Sequence, residues 1–151
     1  MQLPKTTERV ARHTAARANE RIAERTREMV WRLGGRPDDI AGRLDELDRE
    51  WDVERALEAN AATIALAGLG LGATVDRRFF ALPAVVAGFL LQHALQGWCP
   101  PLPLLRRLGF RTQTEIERER AALKALRGDF SEVQTGGGRA DPAAALRAAG
   151  V

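Results

Sequence analysis

Between Ala59 and Leu105 the chain carries only three charges, Asp76, Arg77 and Arg78, gathered in one break near the middle. Ala59 to Val75 is 17 residues without a charge, about 25 Å of α-helix. Phe79 to Cys99 is a further 21. A bilayer's hydrocarbon core is about 30 Å thick, and it thins around a short span. A helix in the core of a soluble protein normally keeps a charged outer face, and neither segment has one. The stretch therefore predicts an all-α membrane protein built on a two-span transmembrane helical hairpin, with the lipid bilayer as its first partner.

The residue types suit lipid. Ala61, Ala65, Gly68 and Gly72 fall on one helical stripe, and Gly68 and Gly72 form a GxxxG pair. Ala84 and Gly88 make the corresponding small-xxx-small step on the second span. Lipid gives helices no hydrophobic drive to associate, so close backbone approach supplies the attraction. Gly68, Gly72, Ala84 and Gly88 are the expected helix-packing residues, within the hairpin or in a homo-oligomer or a complex with another membrane protein.

Polar residues inside the spans are few: Asn60 in the first, Gln92, His93 and Gln96 in the second. An antiparallel hairpin puts Asn60, His93 and Gln96 near the same membrane face. The simpler reading is an interhelical hydrogen-bond clasp, since buried amides seek partners. The alternative is a polar lining for a proton or small solute, with His93 titrating. Two spans enclose no pore, so that alternative requires an oligomer.

The flanks are amphipathic. Residues 5 to 33 read as one helix with an apolar stripe through Ala11, Ala15, Ala18, Ile22, Met29 and Leu33, stopped by Gly34 and Gly35. Residues 1–36 balance to +5 and 37–58 to −6, so the acidic stretch, with Ile40, Leu44, Leu47 and Trp51 on one face, is expected to pair with the basic one. It should then run unbroken into the first span. Interleaved glutamates and the lone Trp31 argue against nucleic acid; anionic lipid is the other candidate for the basic helix. After the spans, the run PPLPLL in 59–105 is expected to be irregular and to lie along the interface, anchored by Arg106 and Arg107. A helix in 106–130 should begin at a capping box, Thr112 with Glu115, and end at Gly128. Residues 131–151 have little to bury and read as a disordered tail.

Orientation follows from arginine. Arg43, Arg49, Arg55, Arg106, Arg107, Arg111 and Arg118 flank the two termini of the hairpin, against Arg77 and Arg78 in its loop. That bias puts both termini in the cytoplasm of a bacterial inner membrane. Residues 1–36 hold no apolar segment of the kind a signal peptide needs.

An asparagine opening the first span, Asn60, with Cys99-Pro100 and then Leu108-Gly109 after the second, resembles a short bacterial family of unknown function that includes the membrane half of the YgaP-type rhodanese. The resemblance covers roughly residues 53 to 112 and implies a two-span membrane domain. The rhodanese half has no counterpart here, because no second cysteine exists to carry persulfide.

No enzyme constellation is present in the sequence. The GLGLG run lies in a span, Ser131 is the only serine, and His13 and His93 are far apart, so no catalytic set, metal or cofactor is expected. Cys99 is the one candidate thiol. Arginines near it in sequence would favour a thiolate; a small apolar residue at a helix end is the commoner role. The expected function is a membrane-anchored interaction or scaffold module. The alternatives are an accessory in sulfur traffic with Cys99 as acceptor, and an oligomeric proton or solute pathway lined by Gln92, His93 and Gln96.

Overall fold

The computed structural model describes residues 5, 7–134 and 142–149, and all regular structure among them is helical. Eight α-helices follow in order: α1 (Arg9–Arg12), α2 (Ala16–Gly34), α3 (Ile40–Arg49), α4 (Val53–Thr74), α5 (Ala81–Gln96), α6 (Leu102–Leu108), α7 (Gln113–Arg127) and α8 (Pro142–Ala149). The chain divides into two compact units. One joins Met1–Ala23 with Trp51–Thr114, the other Glu24–Glu50 with Glu115–Val151.

In the first unit the single helix expected over residues 5 to 33 is broken at residues 13–15, between α1 and α2. Side chains there replace backbone bonds. The Thr14 hydroxyl donates to the Val10 carbonyl at 2.8 Å, and the Asn19 amide donates to the Ala11 carbonyl at 2.9 Å. Both carbonyls are thus satisfied without a further helical turn.

The run from Asp38 into the first span is interrupted too. α3 stops at Arg49, and α4 restarts after Asp52, whose extended backbone (φ −75°, ψ 169°) and side chain cap it by accepting from the Arg55 amide at 2.7 Å. The Val53 amide donates to the Arg111 carbonyl at 2.8 Å, satisfying another orphan donor of that first turn.

α4 and α5 carry the apolar stretch and are long and apolar enough to cross a membrane. Only 22% of the apolar window of the first and 6% of the second is buried within the protein. A 3-10 turn over Arg77–Phe80 joins them, capped by Asp76 accepting from the Arg78 amide. α5 ends at Gln96, three residues before the expected Cys99, because Gly97 adopts the left-handed conformation (φ 82°) and its amide returns to the His93 carbonyl at 2.7 Å.

Gly68 and Gly72 are the close-approach positions of α4. A Cβ on Gly68 would meet the Pro83 ring at 2.7 Å and Leu82 at 3.0 Å; one on Gly72 would meet the Phe80 ring at 2.8 Å. Their partners are thus the turn and first residues of α5, not the Ala84–Gly88 step. Ala84 and Gly88 face outward, with nothing within 4 Å of a Cβ on Gly88.

The segment expected to be irregular after Cys99 forms α6. Its prolines occupy the opening turn, where no amide donor is required, and the Leu104 and Leu105 amides both reach the Pro101 carbonyl. Val10, Val53, Leu57, Cys99 and Leu102 form the core of this unit, flanked by Leu105 and Phe110.

The second unit buries Leu33, Ile40, Leu44, Leu47, Ile116 and Leu123, with Met29 and Val30 against them. The end of the basic helix, at Met29 and Leu33, shares this core with Ile40, Leu44 and Leu47 of α3, and α7 completes it with Ile116 and Leu123. α3 carries its cross-helix ion pairs to α7: Arg43 donates to the fully buried Glu119 at 2.8 Å, and Arg120 pairs with Asp48. α7 opens just after Thr112 and stops before Gly128, at the expected places. Within the stretch expected to be disordered, Ser131–Gln134 is a 3-10 turn and α8 is an alanine-rich helix opened by Pro142. Residues 135–141 and 150–151 lie outside the described residues.

Candidate functional site

The most chemically unusual place in the first unit is where α1 meets the start of α4 and the end of α5. Arg9, Glu54 and His93 converge there. One Glu54 oxygen, Oε1, lies 3.4 Å from Arg9 Nη2 and 4.0 Å from His93 Nε2. Arg9 Nη1 donates to the Ala94 carbonyl at 3.1 Å. His93 is 6% exposed. Four buried polar atoms here have no hydrogen-bond partner: Arg9 Nε, Glu54 Oε2 and both ring nitrogens of His93. Buried polar groups are normally satisfied, and these four atoms stand apart on that ground. Burial raises the Glu54 carboxyl above its ordinary value, against the opposing pull of Arg9.

Local sequence explains the convergence. Gly97 lets the backbone of α1 lie against the end of α5: a Cβ there would meet the Arg9 carbonyl carbon and oxygen at 2.6 Å. Val10, next to Arg9, is buried in the core with Cys99, Val53 and Leu57. Arg106 of α6 fixes the other side of α1. It is 1% exposed, and donates from Nε to Thr14 Oγ1 at 3.2 Å, from Nη1 to the Phe110 carbonyl at 2.9 Å and from Nη2 to Asn19 Oδ1 at 2.9 Å. The expected anchoring of Arg106 at a lipid interface is thereby corrected: its guanidinium clamps the α1–α2 corner.

Of the polar residues expected to cluster in the spans, His93 turns to Glu54 and Arg9, Gln92 and Gln96 are half-buried, and Asn60 is exposed. Asn60 lines a groove of about 420 Å³ between α4 and α5, with Ile64, Val86, Phe89, Cys99 and Pro100 among its walls. Asn60, Cys99 and Pro100 therefore share one surface. Cys99 itself is 5% exposed and packed in the apolar core. Arg106, near it in sequence, is committed to Thr14, Asn19 and Phe110, which removes the expected reason for an easily formed thiolate.

Glu54 and Arg9 escape a reading confined to the uncharged segments. The signal lies in the stripe of small residues: counting back from Ala61 by one and two turns gives Leu57 and Glu54, so the carboxylate shares the packed face of α4. Among the described residues no group of three or more His, Cys, Asp or Glu side chains could hold a metal ion. No protein-family model, curated protein or solved structure matches the chain.

Proposed function

We propose that this chain is a membrane-anchored interaction or scaffold module: a two-span hairpin of α4 and α5 in the bacterial inner membrane, with helical flanks on the cytoplasmic side. The observation that carries the reading is exposure without charge. Leu66, Val85 and Leu91 are each more than half exposed on helices that hold no charge from Ala59 to Thr74 or from Ala81 to Gln96. Contiguous apolar surface of that kind is not left open to water; lipid is the solvent it suits. The outward Ala84–Gly88 step then faces lipid or a neighbouring span, which supports association with a second copy or with another membrane protein. The resemblance to the two-span family at Asn60, Cys99-Pro100 and Leu108-Gly109 agrees with this architecture.

The chain offers no observation that favours sulfur traffic, since Cys99 is buried, or a pathway lined by Gln92, His93 and Gln96, since His93 turns to Glu54 and Arg9 while the two glutamines are half-buried. Fractionation and topology reporters test the proposal. The protein should stay with membranes through a carbonate wash, and reporters fused after Lys124 and before Arg9 should both read cytoplasmic, given seven flanking arginines against two. Recovery in the soluble fraction without detergent would overturn membrane insertion, and a periplasmic signal from either end would overturn the orientation.

A further inference from the structure

We propose that the groove between α4 and α5 binds one anionic phospholipid, with an acyl chain between the helices, Asn60 at the level of the ester and Arg107 at the phosphate. Such a site presupposes the two-span hairpin and adds to it one particular lipid among the many that would surround it. The walls of the groove are aliphatic and aromatic, and Asn60 is the one amide among them. Asn60 is exposed, and among the described residues nothing bonds its side chain. A polar group left unmet in lipid is costly. The ester carbonyl at the head of an acyl chain is the acceptor that a phospholipid brings to such an amide.

The groove is no deeper than one leaflet. Its α4 wall runs from Leu57 to Ile64, about 10 Å of helix, against about 30 Å of hydrocarbon core. Beyond that wall the glycine face closes the hairpin, with Gly68 against Leu82 and Pro83 and Gly72 against Phe80. A transmembrane helix of a second copy would cross the whole core and lose the groove after about two turns. An acyl chain enters from the interface and ends near the midplane, so the groove suits it along its whole length.

The cation stands above the mouth. Pro100 and Pro101 wall the groove beside Leu57, Asn60 and Ala61, and α6 leads from them toward Arg111, whose carbonyl accepts from the Val53 amide at 2.8 Å. α6 therefore climbs along α4 from the level of Asn60 to that of Val53, about 10 Å closer to water. Leu104 and Leu108 follow Pro101 by three and seven residues, which keeps them on its side of the helix, and they are 60% and 66% exposed. Arg107 is exposed as well, and among the described residues its guanidinium bonds to no carboxylate or carbonyl. Glu58 lies two residues from Asn60, on the other side of α4, and does not face the groove. Going up the hairpin, the order is apolar groove, amide, guanidinium, which matches chain, ester and phosphate. An exposed basic residue at that height attracts an anionic headgroup.

The test uses the full chain in vesicles, with the exposed Trp31→Phe and Trp51→Phe leaving Trp98 as the one indole. Trp98 packs edge-on against Phe89, a wall of the groove, with ring centroids 6.5 Å apart. The probes are phosphatidylglycerol and phosphatidylcholine with the same brominated chains, each diluted into unbrominated phosphatidylcholine; bromine quenches an indole only at short range. Brominated phosphatidylglycerol should quench Trp98 at low mole fraction and saturate, while brominated phosphatidylcholine should quench in proportion to its amount. Arg107→Gln should cut the preference for phosphatidylglycerol about fivefold, the share of one basic residue at an anionic surface. Arg55→Gln, at an exposed position on another side of α4, should leave the preference unchanged. Equal quenching by the two lipids overturns the site. An equal loss in Arg55→Gln and Arg107→Gln overturns it in favour of general surface charge. Absence of quenching by either lipid overturns it as well, and cross-linking of chains through Asn60→Cys in a Cys99→Ser background would then name a second copy as the occupant. Protein that carbonate washes from the vesicles overturns the two-span hairpin itself, whereas protein that stays and shows no preference overturns the lipid site alone.

Discussion

Four glycines in the two long helices allow the packing of α4 on α5 to be measured with the helix propensity cancelled out. Replacing a helical glycine with alanine gains about 0.8–1.0 kcal/mol of intrinsic helix preference. At Gly70 and Gly88 the new methyl meets nothing within 4 Å, so that gain should stand alone. At Gly68 and Gly72 it meets Pro83 at 2.7 Å and Phe80 at 2.8 Å, and overpacking of this kind costs about 1–3 kcal/mol. Gly68→Ala and Gly72→Ala should therefore be about 1–3 kcal/mol less stable than Gly70→Ala and Gly88→Ala. Gly68→Ala should be the worse of the two. Its neighbours are a proline ring and a Leu82 Cβ held by the backbone, whereas the Phe80 ring is 44% exposed and can swing aside. Unfolding in mixed micelles of increasing denaturing-detergent fraction, followed by circular dichroism, gives the four differences. Equal shifts for Gly70→Ala and Gly68→Ala would refute the close approach of the glycine face to the start of α5.

Arg106→Ala should loosen the α1–α2 corner: Thr14 Oγ1, Asn19 Oδ1 and the Phe110 carbonyl each lose their guanidinium donor, while Thr14 and Asn19 keep their bonds to Val10 and Ala11, at about 1–3 kcal/mol for the corner. Amide exchange across residues 10–19 should quicken well before that of α4, and equal protection in both proteins would count against the clamp. Cys99, at 5% exposure in an apolar core, should react with a membrane-impermeant maleimide far more slowly than the cysteine of an exposed control, Glu58→Cys in a Cys99→Ser background. Labelling of the two at comparable rates would show that the thiol is accessible and would reopen its role as an acceptor.

The helical character of the chain and its two apolar helices were legible because charge is absent over whole turns, a signal no local interaction can mask. The start of α7 after Thr112 and its stop before Gly128 were legible for a different reason, since each end is set by residues adjacent in sequence. The breaks at residues 13–15 and 50–52 were not. Thr14, Asn19 and Asp52 are tolerable inside a helix, and what commits them to caps and corners is Arg106 and the Arg111 carbonyl, far away in the chain. α6 was obscured by treating prolines as helix breakers without asking whether they fall in its first turn. The Arg9–Glu54–His93 cluster was half visible: His93 stood out as a polar residue in an apolar helix, but its partners lie in charged flanks where every third residue is ionic and none is conspicuous.

The bonds of Arg106 also set an order for biogenesis. Thr14 precedes Arg106 by 92 residues, and everything that becomes α4 and α5 is made in between. At about 5–20 residues per second of synthesis, the α1–α2 corner waits roughly 5–20 s for its clamp. During that interval Val10 has neither Cys99 nor Leu102 to pack against. The segment around α1 is therefore made before the two apolar helices and takes its place only after them, closing on helices that are already complete.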